Sequence, residues 1–371
     1  MAEKVGLAII GSTGIIGRVH IDAIAQLDSC RVVGINARRQ EPLRQQALEQ
    51  QVAMFATLDE VLEDPQVDAI VIATPHPSHL EITQKAAAAG KHILAEKPMG
   101  VTPSDADGMI SAAKSSGVKL GVLFNNRFRP EAIKAKQLIQ EGAIGAINRV
   151  SMSSVMLRSQ DYYDRLEWRG RWDEEGGGVL INQGIHAIDM MQWLTGMPTS
   201  VFGHLSTHRH KVEVEDYATA VMQYEGGGHG TLHCTTAQAP NQQRIEIWGE
   251  KGALILDNWV ITLHSIGTSV TDFIENNKDV AFNSPEVQTE VFDDFEPIPS
   301  THVPAIDDFA RSILEDRESA ITGEDGLRSQ ELVAALTLSG CRDKMVSLPI
   351  DRAEYDTLMD ELRSTRRMPG R

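Results

Sequence analysis

Aromatic residues make up only 5% of this 371-residue chain, cysteines number three, and Lys plus Arg are outnumbered by Asp plus Glu. Each shortage excludes something. Cys30, Cys234 and Cys341 are far apart, odd in number and without CxxC spacing, so neither a disulfide framework nor a cysteine zinc site is expected. A reducing cytoplasm fits such usage best. No apolar run is long enough to cross a bilayer, and Met1-Ala2-Glu3-Lys4 passes straight into the apolar stretch 5–10 without a signal-peptide layout. A soluble, unprocessed chain is the expectation. The 35 basic against 52 acidic residues give a net charge of −17, which disfavours nucleic acid or anionic membrane as a partner. Any anionic ligand therefore needs a local basic site.

What is present is an ordinary globular composition, 42% apolar and 23% charged, suited to two or three domains. Short apolar runs at 5–10, 32–35, 69–73, 92–95 and 120–124 alternate with amphipathic segments and read as buried strands. Thr57 with Glu60 forms a capping-box pattern, and Thr102 before Pro103 marks a helix start. This alternation predicts an α/β fold whose N-terminal part is a doubly wound parallel sheet covered on both faces. After about residue 145 the runs 147–155, 201–207, 217–224, 229–238, 244–248 and 253–256 read as strands. Gly226-Gly227-Gly228 and Glu250-Lys251-Gly252 read as hairpin connections. A large, open, mostly antiparallel sheet is expected there, with 181–195 as its main helical insertion. The stretch 265–300 reads as polar and irregular, 305–315 and 327–345 as helices, 346–350 as a short strand, and 363–371 as a frayed terminus. The domain reading is 1–125, 126–345 and a C-terminal strand and helix at 346–371 whose placement is open.

Gly11-Ser12-Thr13-Gly14-Ile15-Ile16-Gly17 follows the first strand and opens a helix. Glycines there allow a pyrophosphate to approach the free N–H groups of the helix N-terminus. The spacing is GxxGxxG rather than GxGxxG, which leaves the form of the phosphate loop open. About 20 residues on, where an NAD-binding chain would place Asp or Glu against the adenosine ribose, the second strand ends in Asn36-Ala37-Arg38-Arg39. Two arginines suit a 2′-phosphate, so NADP is expected, with NAD as the alternative. Thr74, Pro75, His76 and His79 sit on the same carboxyl-end rim and are expected to line the cofactor cleft. The two histidines lie in a Pro-rich loop without a third ligand, so no metal is expected.

Glu96-Lys97-Pro98 ends the 92–95 strand, placing a lysine at the mouth of the same cleft. Further on, Gly176-Gly177-Gly178 leads to Asn182, His186 and Asp189. Asn182 and His186 share a face if the segment is helical, where Asp189 would lie nearby. Arg127, Tyr163, Trp168 and Trp172 are further candidates: rings can cover a sugar face and arginines can meet hydroxyls or an acidic substituent. Tyr162, Arg158, Arg165, Arg169 and Arg171 belong to the same crowded segment, which a subunit interface would also explain. Trp172, just before the Gly triplet, is expected nearest the cofactor or substrate. His204, His208, His210, His229 and His233 alternate along two strands and read mostly as surface or subunit-contact residues.

In this order, the glycine turn, the 74–79 loop, Ala95-Glu96-Lys97-Pro98 and the GGGxxxNxxxHxxD motif resemble the Gfo/Idh/MocA oxidoreductases. The likeness runs motif by motif over residues 5–189. It implies a Rossmann domain plus an α/β domain with a large open sheet, acting on sugars or cyclitols with NAD(P). By motif matching it implies Lys97 and His186 as the catalytic pair. Asn182 stands where many members carry Asp, and an amide positions a hydroxyl without charging the histidine. Hydride transfer from a carbinol leaves a proton to be moved, and histidine titrates near neutrality. His186 is expected to exchange that proton while Lys97 polarises the same oxygen, although the sequence alone permits the reverse. Two other functions stay open: NAD-assisted glycoside hydrolysis, and a non-catalytic dinucleotide sensor that binds a protein partner. A homodimer or homotetramer is expected, because open sheet faces favour association.

Overall fold

Aliphatic and β-branched runs near the N-terminus form the centre of a parallel sheet. In the computed structural model, which describes residues 4–277 and 282–368, the chain divides into two compact units. The first comprises residues 1–125, 174–176 and 298–330. Its sheet is built from β1 (Val5–Ile10), β2 (Cys30–Asn36), β3 (Ala53–Phe55), β4 (Ala69–Ile72), β5 (His92–Ala95) and β6 (Leu120–Val122). The strand order is β3-β2-β1-β4-β5-β6, and every pairing is parallel. β1 and β4 are buried along their whole length, as expected for a sheet covered on both faces. The order reverses at β1 and β4, so their carboxyl ends open the crevice where ligands of such sheets bind.

The crossovers are α1 (Ile15–Ile24), α2 (Gln40–Gln50), α3 (Leu58–Glu63), α4 (His79–Ala88) and α5 (Pro103–Ser116). Both expected caps form. The Thr57 Oγ1 accepts from the Glu60 N–H at 3.2 Å while Glu60 accepts from the Ala56 N–H at 2.7 Å. Thr102 and Asp105 make a reciprocal capping box with Pro103 in the first turn. Residues 298–330, set within 126–345 by the domain reading although the sequence lets their helices return to either domain, cluster with this unit. The Ser29 hydroxyl donates to Asp307 at 2.5 Å, and the Gln330 amide donates to the Gly100 carbonyl at 2.9 Å.

The second unit comprises residues 126–173, 177–297 and 331–371. It opens with α6 (Pro130–Gln140), β7 (Ile147–Val155), α7 (Gln160–Asp164) and α8 (Ile185–Thr195). β8 (Ser200–Ser206), β9 (Tyr217–Gln223), β10 (His229–Thr235), β11 (Gln242–Gly249), β12 (Gly252–Asp257) and β13 (Val260–Ile266) follow. The chain continues in this unit with α9 (Val270–Asn276) and β14 (Val287–Phe292), then passes through α10 (His302–Leu314), which belongs to the first unit, and along α11 (Gly323–Arg342), which crosses from the first unit to the second at 330–331, to β15 (Val346–Ser347) and α12 (Arg352–Thr365). Nine strands run in the order β14-β13-β12-β11-β7-β10-β9-β8-β15. β10 and β7 pair in parallel and all other neighbours are antiparallel. Alternating burial along β9 gives the sheet one packed face, which α8 covers at β7 and β11.

Three expectations change. The 265–300 stretch is not irregular throughout: it holds α9 and the edge strand β14, exposed over most of its length, so its sequence carries little apolar signal. Residues 278–281 lie outside the described ones. The 363–368 end is not frayed, since α12 runs to Thr365, Met368 is buried and Arg366 reaches Asp173 at 3.4 Å; residues 369–371 lie outside the described ones. His210 is no surface residue. Its side chain is buried between Asp216 and the Arg158 carbonyl, at 3.0 and 2.9 Å.

Candidate active-site residues

The first unit gathers its candidates at the carboxyl ends of β1, β2, β4 and β5. The Gly11 and Ser12 N–H groups donate to the Asn36 carbonyl at 2.8 and 3.2 Å, tying the turn to the end of β2. Gly11 has φ +92°, and a Cβ there would stand 2.5 Å from the Ala73 carbonyl oxygen, so only glycine fits. Helix α1 begins without a side-chain cap at Gly14 and without an acidic residue in its first turn. The N–H groups of Ile15, Ile16 and Gly17 belong to that uncapped turn, where the helix dipole favours an anion. The Ser12 hydroxyl oxygen is buried without a hydrogen-bond partner. An uncapped helix start, a glycine cradle and an orphaned hydroxyl together fit a dinucleotide pyrophosphate, with Thr13 on the same turn.

At the end of β2, Ala37 is buried while Arg38 and Arg39 are exposed. Among the described residues neither guanidinium makes an ion pair, and Arg39 is the N-cap residue of α2. In the next loop Thr74 and Ser78 share a hydroxyl hydrogen bond of 2.7 Å, and Pro75 accepts from Ser78 at 2.8 Å. The His79 Nε2 donates to the Thr74 carbonyl at 2.8 Å, and the His76 Nδ1 donates to the Glu175 carbonyl at 2.9 Å. Burial holds the His76 imidazole down at about 3, so it stays neutral.

Lys97 is half-buried at the end of a buried strand. From residue 93 to 103 every residue is buried except Lys97. Its ammonium pKa lies below the usual lysine range because of burial, with Glu96 and Glu175 pulling the other way. Glu96 is turned into the protein: it accepts from the His20 Nε2 at 2.9 Å and from the Lys97 N–H at 3.2 Å. Burial pushes the Glu96 carboxyl up, but the His20 hydrogen bond and the nearby cations hold it at about 2. The His302 ring meets His20 edge-on at 5.4 Å. Ligand atoms of His20, Glu96 and His302 lie within 4.8 Å of one another, the only such grouping among the described residues. The His20 hydrogen bond already occupies that carboxylate.

In the second unit Gly178, the last of the Gly triplet, is fixed by Glu215. Its carboxylate accepts from the Gly178 and Leu180 N–H groups at 3.0 Å, and a Cβ on Gly178 would meet the Glu215 carbonyl oxygen at 1.9 Å. Burial lifts the Glu215 carboxyl to about 7. Asn182 does not lie on α8, contrary to the helical reading: it sits in the preceding turn, where its N–H bonds the Gly178 carbonyl, and the helix starts at Ile185. Gly184 closes that turn with a 2.6 Å bond to the Val179 carbonyl. Even so, Asn182 and His186 are the two residues between 177 and 192 that are not buried.

Asp189 follows on α8, where Arg127 grips it with two bonds of 2.9 and 2.7 Å, both side chains buried. That fork of Arg127 is turned to the protein. Tyr163 is also interior, its hydroxyl 2.9 Å from the Thr236 Oγ1. Trp172 is fully buried and its Nε1 donates to the Glu213 carbonyl at 2.9 Å, so it packs the core of this unit. Trp168 is half-buried, with the Arg169 guanidinium 5.3 Å from its ring. Tyr162 lies beside Asn182: its hydroxyl accepts from the Gln183 Nε2 at 2.8 Å and from the Asn182 Nδ2 at 3.5 Å. Sequence reasoning placed Tyr162 in the crowded segment without singling it out, and it missed Glu215, Gln183 and Glu175. None of these carries a spacing signal.

Residues 5–124 match the model of the GFO/IDH/MocA oxidoreductase family with its NAD-binding Rossmann fold, and residues 132–255 match the GFO/IDH/MocA C-terminal domain. The chain is 27% identical over 345 residues to the uncharacterized oxidoreductase YrbE of Bacillus subtilis, covering 90% of this chain and 94% of that protein. It is 29% identical over 255 residues to scyllo-inositol 2-dehydrogenase (NADP+) IolW of the same organism, 68% of each chain being covered. The crystal structure of the WlbA dehydrogenase from Bordetella pertussis in complex with NADH and UDP-GlcNAcA superposes with a TM-score of 0.80 at 27% identity. That match covers 95% of this chain and 99% of the other. Among the described residues no helix is long and apolar enough to cross a membrane.

Proposed function

This chain belongs to the GFO/IDH/MocA family of NAD(P)-dependent oxidoreductases acting on sugar alcohol groups, and from that premise we propose a specific reaction. It interconverts a secondary alcohol and a ketone on a sugar, glycoside or cyclitol, with a preference for NADP(H). The observation that carries this reading is the burial pattern: Lys97 alone is half-buried within the otherwise buried stretch 93–103, and Asn182 and His186 alone are half-buried within 177–192.

The bound dinucleotide supplies the hydride acceptor or donor. The turn from Gly11 to Gly17 holds its pyrophosphate, and Arg38 and Arg39 hold a 2′-phosphate. Support for the latter is their exposure, their lack of carboxylate partners among the described residues, and the NADP+ named for the inositol relative. Thr74, Pro75, His76 and His79 line the cleft, and Glu96 holds the strand end that carries Lys97.

Oxidation of a carbinol leaves a proton on its oxygen. His186 takes that proton and returns it in the reverse reaction, while Lys97 donates a hydrogen bond to the oxygen. Burial lowers the Lys97 ammonium pKa, which makes the ammonium a stronger hydrogen-bond donor toward that oxygen. Asn182 positions a hydroxyl. Trp168 covers a sugar face, and Arg127 acts through Asp189 on the helix that carries His186. The exposed apolar residues Phe202, Val221 and Trp248 on the open sheet support a homodimer or homotetramer.

The test is a spectrophotometric screen of inositols, sugars and keto-sugars with NADP(H) and NAD(H). Reduced-dinucleotide absorbance that changes in step with a sugar substrate is expected. Dinucleotide binding with no turnover of any member of the screen would point to a sensor instead, and glycoside cleavage without net redox change to a hydrolase.

A further inference from the structure

The four arginines between β7 and the Gly triplet are not alike. Arg165 pairs with Asp161 at 2.6 Å, and Arg171 with Asp173 at 3.1 Å. Arg158 and Arg169 have no carboxylate partner among the described residues. Their guanidinium groups donate to main-chain carbonyls instead, Arg158 to Leu157 at 3.0 Å and Arg169 to Tyr162 at 2.7 Å. The Nε of Arg169 is buried with no hydrogen-bond partner. Both residues are half-buried in a chain of net charge −17, where a carboxylate partner is the easiest thing for folding to supply.

Both guanidinium groups lie over the same ring. The Arg169 carbon is 3.7 Å and the Arg158 carbon 5.2 Å from the centre of Tyr162. Its hydroxyl, at the far end of the ring, accepts from Gln183 at 2.8 Å and from the Asn182 amide at 3.5 Å. Its backbone is fixed too: Ser159 caps α7 by accepting from the Tyr162 N–H at 3.3 Å, and His210 bonds the Arg158 carbonyl at 2.9 Å. Two cations are thus held on a rigid aromatic plane, one hydrogen bond from an active-site amide.

Partly desolvated cations are costly unless an anion meets them, and the planar guanidinium fork matches a carboxylate or phosphate. Hydroxyls of a neutral sugar do not call for two such groups. We infer that Arg158, Arg169 and Tyr162 form a subsite for an anionic substituent, a carboxylate or phosphate group, on the sugar substrate. This rests on the reading of Asn182 and His186 as the sugar-oxidising centre, and it names the class of sugar.

Three probes of matched ring, namely glucose, glucuronate and glucose 6-phosphate, titrated calorimetrically into the full chain with saturating dinucleotide, test it. At least one anionic probe should bind roughly tenfold or more tightly than glucose, as a charge-assisted contact implies, and the advantage should shrink with added salt. Glucuronate against glucose 6-phosphate separates carboxylate from phosphate. Arg158→Gln and Arg169→Gln should each lose most of the advantage, while Arg169→Lys should keep part of it, which distinguishes lost charge from lost structure. Equal affinity for all three probes, no binding of any, or an advantage unchanged in both Gln variants overturns the subsite. Turnover of the same probes separates the two readings. Turnover without preference for the anionic probes leaves the oxidoreductase standing and removes the subsite, whereas selective anion binding with no turnover of any sugar does the reverse.

Discussion

Arg127 holds Asp189 with a two-pronged buried ion pair, its Nε and Nη2 donating at 2.9 and 2.7 Å, three residues beyond His186 on α8. The Arg127 guanidinium also lies 5.5 Å from the Trp193 ring. Removing one partner of a buried pair leaves its opposite charge in a poorly solvating place. Arg127→Met should therefore destabilise the protein by about 3–5 kcal/mol, read from denaturant unfolding. The double variant Arg127→Met/Asp189→Leu should recover part of that loss. A cost below about 1 kcal/mol for the single variant would show the pair to be unimportant.

Glu215 makes stability depend on pH. Its folded pKa is raised from an ordinary value of 4.5 to about 7 by burial, so folding favours the protonated form. That contribution is complete below about pH 4.5 and is lost as pH rises through 7, on the order of 3 kcal/mol. Glu96 and His76, held at about 2 and about 3, act in the opposite sense and lose their contributions in acid. The slope must therefore be read as a difference. Between pH 5 and pH 8 the wild type should lose more unfolding free energy than Glu215→Gln, whereas parallel curves would contradict the account.

Gly11→Ala tests the phosphate turn. An alanine there would need φ +92° and would place its Cβ 2.5 Å from the Ala73 carbonyl oxygen, so the turn must shift. Dinucleotide affinity, followed by fluorescence titration, should fall by roughly tenfold or more, since binding depends on N–H groups held at the α1 terminus. Unchanged affinity would place the cofactor elsewhere.

Arg38→Ala/Arg39→Ala should lower kcat/KM for NADP(H) by about tenfold or more while leaving NAD(H) nearly unchanged, because each charged hydrogen bond to a phosphate adds to binding. A wild-type advantage for NAD(H) would remove the basis for that preference.

Much of the first unit was legible because its signals are local. Glycine at Gly11, the caps at Thr57 and Thr102, and the apolar strand ends act within a few residues of themselves. The second unit was less so. The reading of Asn182 and His186 as one helical face missed that Gly178 and Gly184 support a turn before Ile185. Trp172 and Tyr163 drew attention as aromatics, yet their polar ends find Glu213 and Thr236, contacts made only by folding. Tyr162 and Glu215 matter through partners distant in sequence, which no spacing rule reveals. The placement of residues 298–330 likewise depends on bonds such as Ser29 to Asp307.

The central claim is that Lys97 and His186 handle the proton of hydride transfer. Its most direct test is single-turnover hydride transfer, on the best substrate of the screen, for wild type, Lys97→Met and His186→Ala, with dinucleotide affinity measured on the same preparations. The account predicts a rate lowered roughly 100-fold or more in each variant, with dinucleotide affinity within a few-fold of wild type. Near-normal hydride transfer in either variant would contradict it.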